Sequence, residues 1–220
     1  MINFAKIWDI LITKFPAFME GVEITLQLAF FTVLFGSLLG LVVAVCRRTR
    51  LLPLRWLMNA YVAFIRGTPL LVQVLLVVYG LPQLGIRFPR MTLCIIALVI
   101  NSGAYMAELI RAGLQSVPRA QWEAGISLGL GVWNTLRLVI LPQAVRRMLP
   151  PLTSQLVSLI KDTSLVSSIA VADLTMQAQV LIADTFLAFE IWLIVAALYL
   201  ALTLCVALPA RWMERRYAWR

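Results

Sequence analysis

The feature that most restricts this chain is a set of long stretches without a charged side chain. Ile24–Cys46 runs for 23 residues, Gly67–Ile86 for 20, Met91–Ala107 for 17 and Ile191–Ala210 for 20, while Met148–Ile160 and Thr163–Ala172 are separated only by Lys161 and Asp162. A helix needs about 20 residues to cross the hydrocarbon core of a bilayer. The chain is 62% hydrophobic and 13% charged, against roughly 45–50% and about 25% for a soluble domain. It reads as an all-α membrane protein with about five transmembrane helices, near 22–46, 58–82, 91–112, 149–171 and 188–210. Residues 1–21 form an N-terminal extracytoplasmic or interfacial segment, 22–210 the transmembrane domain with its longest connection at about 113–147, and 211–220 a basic tail. The N-terminus lacks the basic start, short apolar core and small-residue cleavage site of a removable signal peptide.

Arginine orients the spans. Arg47, Arg48, Arg50, Arg55, Arg111, Arg119, Arg137, Arg146, Arg147, Arg211, Arg215, Arg216 and Arg220 fall on one side, against Lys6, Lys14, Arg87 and Arg90 on the other. The positive-inside rule then puts the N-terminus outside and the C-terminus in the cytoplasm. An outer 172–190 loop carrying Asp173, Asp184 and Glu190 agrees. The net charge of +9 is therefore read as topology. Nucleic-acid binding would need a basic face on a soluble domain, and none is present.

Several chemistries drop out. Histidine is absent, which removes Ser-His hydrolysis, His-ligated zinc and histidine proton relays, and leaves an intramembrane hydrolase without a nucleophile motif. Cys46, Cys94 and Cys205 lie in apolar runs at no metal or redox spacing. No P-loop occurs, since the only lysines are Lys6, Lys14 and Lys161. In the first span Gly36, Ser37 and Gly40 suit close helix packing. Pro69, after "RGT", should kink the second span or start part of it.

The segment "QWEAGISLGLGVWNTLRLVILPQ", Gln121–Gln143, is half apolar yet broken by Glu123, Arg137, three glycines and Pro142. On this topology it is cytoplasmic, between the third and fourth spans. Pro118 suits a first turn and Gly129 an end, so Pro118–Leu128 is expected to be a short helix. Arg119 and Glu123, four apart, can pair on its surface, and Trp122 and Ile126 share another stripe. Such a helix is too short to span and too apolar to stay bare. It must bury against its own helix ends, lipid headgroups or a partner.

Charged groups at bilayer depth are costly and mark transport paths by default. Asn101, Tyr105 and Glu108 share one face of the third span. Ser158, Lys161, Asp162, Thr163 and Ser164, with Ser154 or Gln155 and Ser168, make a polar stripe on the fourth. Two readings stand. In one, Glu108 pairs with Lys161 across the helices. In the other the stripes line a translocation path, where Glu108 or Asp162 accepts the ammonium of an amino acid and Thr163, Ser164 and Asn101 meet its carboxylate. Arg66 snorkels to the headgroups, pairs with Glu108 or touches a partner.

Glu123-Ala124-Gly125, three residues, Gly129, nine residues, Val139, one residue, Leu141-Pro142 resembles the "EAA" loop of ABC-transporter permeases, with Gly125 for the second alanine and Val139 for isoleucine. "RGTPLLVQ" (Arg66–Gln73), "NSGAYMAELIRAGLQSVPRAQWEAG" and "KDTSLVS" (Lys161–Ser167) are similar to the polar amino-acid uptake subfamily, histidine, glutamine, glutamate or arginine type. The resemblance covers about residues 20–216. It implies a type I ABC importer permease fold in the bacterial inner membrane, with a cytoplasmic coupling helix between helices 3 and 4 that docks on an ATPase. Glu123, Ala124, Gly125 and Gly129, with Trp122 and Arg119, are the expected coupling residues. It further implies two copies of the ATPase, a second permease subunit, identical or homologous, and an extracytoplasmic substrate-binding protein. ATP and magnesium would bind the ATPase, and this chain would hold no cofactor. The rival reading is an ion-coupled secondary amino-acid transporter, which would need its own coupling acids and usually internal repeats; no repeat is visible.

Overall fold

The computed structural model describes residues 4–217, and among them there are helices and no strand. In chain order the α-helices are α1 (Phe4–Thr13), α2 (Phe15–Cys46), α3 (Leu52–Gly67), α4 (Leu70–Gln83), α5 (Arg90–Gln115), α6 (Arg119–Ser127), α7 (Gly131–Asn134), α8 (Leu141–Asp162), α9 (Leu174–Thr185) and α10 (Ala188–Tyr217). Thr135–Ile140 is a π-helical turn leading into α8, and Thr163–Ile169 a 3-10 turn leaving it. Residues 1–3 of the expected N-terminal segment and 218–220 of the expected tail lie outside the described residues. The rest of that tail continues α10.

Helices α2, α5 and α10 are each long and apolar enough to cross a membrane. Two bent pairs bring the number to five if each pair is one span: α3 with α4, meeting at 112°, and the run Gly131–Ile169 with α9, meeting at 49°.

The core is the pairing of α2 with α5. Small residues let the backbones close up. A Cβ on Gly36 would lie 2.7 Å from Ser102 Oγ, and one on Gly40 2.5 Å from Met106 Cβ. Leu28 of α2, Cys94 and Ala97 of α5, Val74 of α4 and Val166 form one buried cluster. Val43 and Ala44 of α2 join Val62 and Ile65 of α3 and Ala104 and Ala107 of α5 in another. Helix α1 packs into a third cluster, in which Ile10 meets Phe18 of α2, Leu174 of α9 and Ile191 of α10.

The expected second span is two helices. Thr68 precedes proline and is extended, with φ −120° and ψ 150°, as the proline ring demands of the residue before it. This leaves the last carbonyls of α3 open inside an apolar bundle, where an unbonded carbonyl is costly. Gln73, buried in the first turn of α4, answers them. Its Nε2 donates to Ile65 O at 2.7 Å, to Thr68 O at 3.0 Å and to Thr68 Oγ1 at 2.8 Å. Asn101 Nδ2 of α5 donates to Gln73 Oε1 at 2.8 Å and holds the amide in place.

The fourth span also departs from expectation. Helix α8 begins eight residues before 149, and the chain turns at Ala170 in the left-handed conformation, φ 59°. The stretch read as an outer loop is mostly helix α9. Asp173 is no solvated loop acid: it is fully buried and caps α9, accepting from Met176 N at 2.9 Å. Tyr199 OH of α10 donates to its other oxygen at 3.3 Å.

Candidate functional site: the arginine-rich end of the bundle

One group of candidate residues gathers where α2 and α5 end and α3 and α8 pass, the end carrying most of the arginines. From Arg90 to Glu108 α5 climbs about 27 Å, close to the ~30 Å hydrocarbon thickness, so Glu108 lies near a headgroup level. Three helices send it an arginine. Arg47 Nη1, just past α2, donates to Oε2 at 2.9 Å. Arg66 Nη1 of α3 lies 3.7 Å from Oε1. Arg111, one turn on in α5, donates to Oε1 through Nη2 and, at 3.0 Å, through Nε. Arg47 Nε also donates to Asn59 Oδ1 at 2.7 Å, and Arg66 stacks over the Tyr105 ring at 5.5 Å. One carboxylate thus ties α2, α3 and α5 together. The pair considered with Lys161 does not form. Lys161 is exposed at the other end of α8. The option of an Arg66–Glu108 pair is the one the structure takes.

Two cavities flank this knot. One, of about 380 Å³, lies between α5 and α8 and is lined by Arg66, Tyr105, Glu108, Arg147 and Gln155. The other, of about 190 Å³, lies on the α2 side between Arg47, Arg48, Asn59, Arg111 and Gln115.

The residues expected to line a path are not all free to do so. Asn101 is buried, with its amide nitrogen on Gln73. Thr163 is buried and donates to Ile160 O at 2.7 Å. Ser158, Asp162 and Ser164 are half-buried, and no side-chain ion pair joins Asp162 to Lys161 among the described residues. Across the larger cavity Glu108 faces Arg147, Met148, Pro151 and Gln155 of α8.

The segment from α6 to the π-helical turn hangs from α5 and α8. Pro118 is extended ahead of α6, and Gly129 and Gly131 turn the chain with φ 76° and 68°. Trp122 packs inward against Val117, Ile140 and Ala144. Gln143 Nε2 of α8 donates to Gln121 Oε1 at 3.1 Å, and Arg147 donates to Ser116 O. Gly125 is buried, and a Cβ there would lie 2.5 Å from Thr135 Cγ2. The glycine that departs from the family's alanine meets a threonine of its own chain.

Arg119, Glu123, Ala124 and Gly129 face out. So do Leu128, Val132 and Trp133, at 79%, 69% and 69% exposure. The expected Arg119–Glu123 pair is absent among the described residues, and Trp122 and Ile126 part company, Trp122 inward and Ile126 outward. Sequence reasoning missed Arg47 and Gln73. Arg47 counted only as topology. Gln73 stood inside "RGTPLLVQ", where a polar side chain four residues after Pro69 signals a cap for the broken span.

The comparisons agree with this architecture. The family described as "Binding-protein-dependent transport system inner membrane component" matches residues 36–219, and the chain belongs to that family. Among relatives, the glutamine transport system permease protein GlnP of Escherichia coli (strain K12) is 40% identical over 215 residues, 95% of this chain and 96% of its own. The probable amino-acid ABC transporter permease protein YckA of Bacillus subtilis (strain 168) is 37% identical over 207 residues, 94% of this chain and 92% of its own. The L-cystine transport system permease protein TcyB of the same bacterium is 44% identical over 173 residues, 78% of this chain and 74% of its own. A crystal structure of an amino acid ABC transporter with histidines superposes with a TM-score of 0.91 at 39% identity, covering 98% of this chain and 99% of that one. The MetNI methionine ABC transporter, inward facing, shares the fold at a TM-score of 0.75 and 18% identity, covering 94% and 99%. The chain is a multi-pass membrane permease component with the type I ABC importer fold. None of these relatives is an ion-coupled carrier, and that alternative gains no support.

Proposed function

We propose that this chain is the membrane-spanning subunit of an ATP-driven importer for polar amino acids, and that α6 with the bend behind it docks on a separate ATPase. The observation that carries the reading is the surface of this segment. It is anchored inward by Trp122 and Gly125 and leaves Glu123, Ala124, Leu128, Val132 and Trp133 exposed among the described residues. Exposed apolar side chains rimmed by polar ones mark a protein contact. Because α6 follows the end of α5 in the chain and its Gln121 accepts a hydrogen bond from Gln143 of α8, a push on it reaches both helices that wall the larger cavity. Support for amino acids as cargo comes from the glutamine and cystine relatives.

The same reading places the arginine-rich end in the cytoplasm, the N-terminus outside, and a second permease subunit and an extracytoplasmic binding protein in the assembly. ATP and magnesium belong to the ATPase. Glu108, Ser158, Asp162 and Ser164 are the candidates for contact with substrate, together with Lys161, exposed in the last turn of α8. The test is uptake of labelled glutamine, cystine and arginine by cells expressing the chain with its genomic neighbours. Uptake of at least one should stop when the nucleotide site of the ATPase is mutated. It should survive collapse of the proton gradient with ATP held constant. Uptake that follows the gradient instead would overturn the reading.

A further inference from the structure

The smaller cavity at the arginine-rich end is not accounted for by coupling or by a transport path. It opens between the end of α2, the middle of α3 and the end of α5, and Arg47, Arg48 and Arg111 line it together with Asn59 and Gln115, beside the apolar Ala44, Ile110 and Leu114. No carboxylate lines it. Glu108 stands behind Arg47 and Arg111 and satisfies part of each guanidinium. Arg48 has no ion pair and no side-chain hydrogen bond among the described residues and is exposed. With Arg66 on the far side of Glu108, four cations therefore surround one anion. Such an excess is unfavourable unless water or a counter-anion balances it.

The cavity lies at headgroup depth, at the C-terminal ends of two helices long and apolar enough to span. Helix ends of this polarity repel anions weakly, so the arginines must supply the attraction. Next to the cavity α2 presents Leu38, Leu41, Val42 and Val45 outward, 52–59% exposed. That apolar strip, one turn below the arginines, suits an acyl chain. A guanidinium holds a phosphate oxygen through two parallel N–H donors, and basic pockets between spanning helices take lipid headgroups. The geometry points to a binding site for the phosphate of an anionic phospholipid, held by Arg47, Arg48 and Arg111, with its chains along α2. The apolar strip favours a lipid over a free phosphate ion.

The occupied site would give Arg47 and Arg111 a second anion and so steady the Glu108 knot from the α2 side. The consequence is a bundle whose stability depends on lipid charge. The test is native mass spectrometry of the chain released from membranes with whatever partners remain bound, stripped of lipid and then offered phosphatidylglycerol, phosphatidylcholine or inorganic phosphate. Phosphatidylglycerol should be retained in preference to phosphatidylcholine, and Arg48→Gln, which breaks no internal pair, should weaken that preference about fivefold. Arg87→Gln, the same charge change in the loop between α4 and α5, should leave it unchanged. Equal retention of the two lipids would overturn the site. So would an equal loss in Arg87→Gln, which would mark a general charge effect. Displacement of the lipid by millimolar inorganic phosphate would show a free-anion site and overturn the lipid assignment.

Discussion

Two neighbouring regions of this protein solve the problem of polar groups in opposite ways. Around Glu108 the charges are met within the chain: Arg47, Arg66 and Arg111 converge on one carboxylate, and among the described residues only Arg48 at the edge is left over. The segment from α6 to the π-helical turn leaves Glu123 and Arg119 without an ion pair among the described residues and Leu128, Val132 and Trp133 bare. The first region holds its helices together with contacts made inside the single chain. The second is complete only on the side facing the bundle, where Trp122 and Gly125 are packed. The difference separates structure from function. A closed network rigidifies the helix ends, whereas a rigid arm with an uncovered face is built to be covered by something else.

Breaking the outward face should have the largest effect. Ala124→Arg adds bulk and charge where α6 is exposed. Uptake should fall about tenfold or more, since about 1.4 kcal/mol of lost docking is a factor of ten, while the amount of chain in the membrane stays unchanged by immunoblot. Next is Gly125→Val, which collides with Thr135. Overpacking of this kind costs about 1–3 kcal/mol. Thermal unfolding in detergent should show the loss, and adding Thr135→Ala should restore a good part of it. A substitution whose damage is repaired from inside the chain acts through the arm's own packing.

The closed region should respond in stability more than in docking. Glu108→Gln removes the carboxylate from three arginines, and hydrogen bonds to charged groups contribute about 1.5–3 kcal/mol each. The melting temperature should fall and uptake with it, but insertion and ATPase co-purification should persist. Gln73→Leu orphans the carbonyls of Ile65 and Thr68 and the amide of Asn101, at about 1–3 kcal/mol for each unsatisfied group. Arg119→Gln should be the smallest change. Without a pair to lose it should stay within about 0.5 kcal/mol in stability, and any fall in uptake would then report the docking face alone.

Much of this architecture is legible in the chain itself. The charge-free runs give helices α2, α5 and α10, and Pro69 gives the break between α3 and α4, because both signals are local. Gly129 ends α6 for the same reason. What is not legible is pairing across helices. Nothing in the spacing of Arg47, Arg66 and Glu108 says that they meet, since 61 residues separate Arg47 from Glu108. The two faces of α6 were also blurred. Trp122 and Ile126 are four apart and should share a stripe on a regular helix, but the arm curls at Gly129 and Gly131 and buries only the first. Helix α9 falls in the stretch between the fourth and fifth charge-poor runs, where Asp173, Asp184 and Glu190 suit an outer loop and no length signal marks a helix. Asp173 is instead a buried cap, a role that acidic residues fill at helix starts. Helical spacing puts Ser158, Lys161, Asp162, Thr163 and Ser164 in one polar stripe, yet the chain changes to a 3-10 turn at Thr163 and that side chain is buried in the core.

The central claim is that the outer face of α6 is covered by an ATPase. A single cysteine at Ala124, in a chain whose Cys46, Cys94 and Cys205 are replaced by serine, tests it most directly. In intact membranes a short cross-linker should trap that cysteine to the ATPase, and ATP with vanadate should change the yield. A cysteine at Gly85, in the turn after α4, should trap none. An Ala124 cysteine that is modified by an impermeant reagent from outside the cell, or that cross-links only to lipid, would contradict the account.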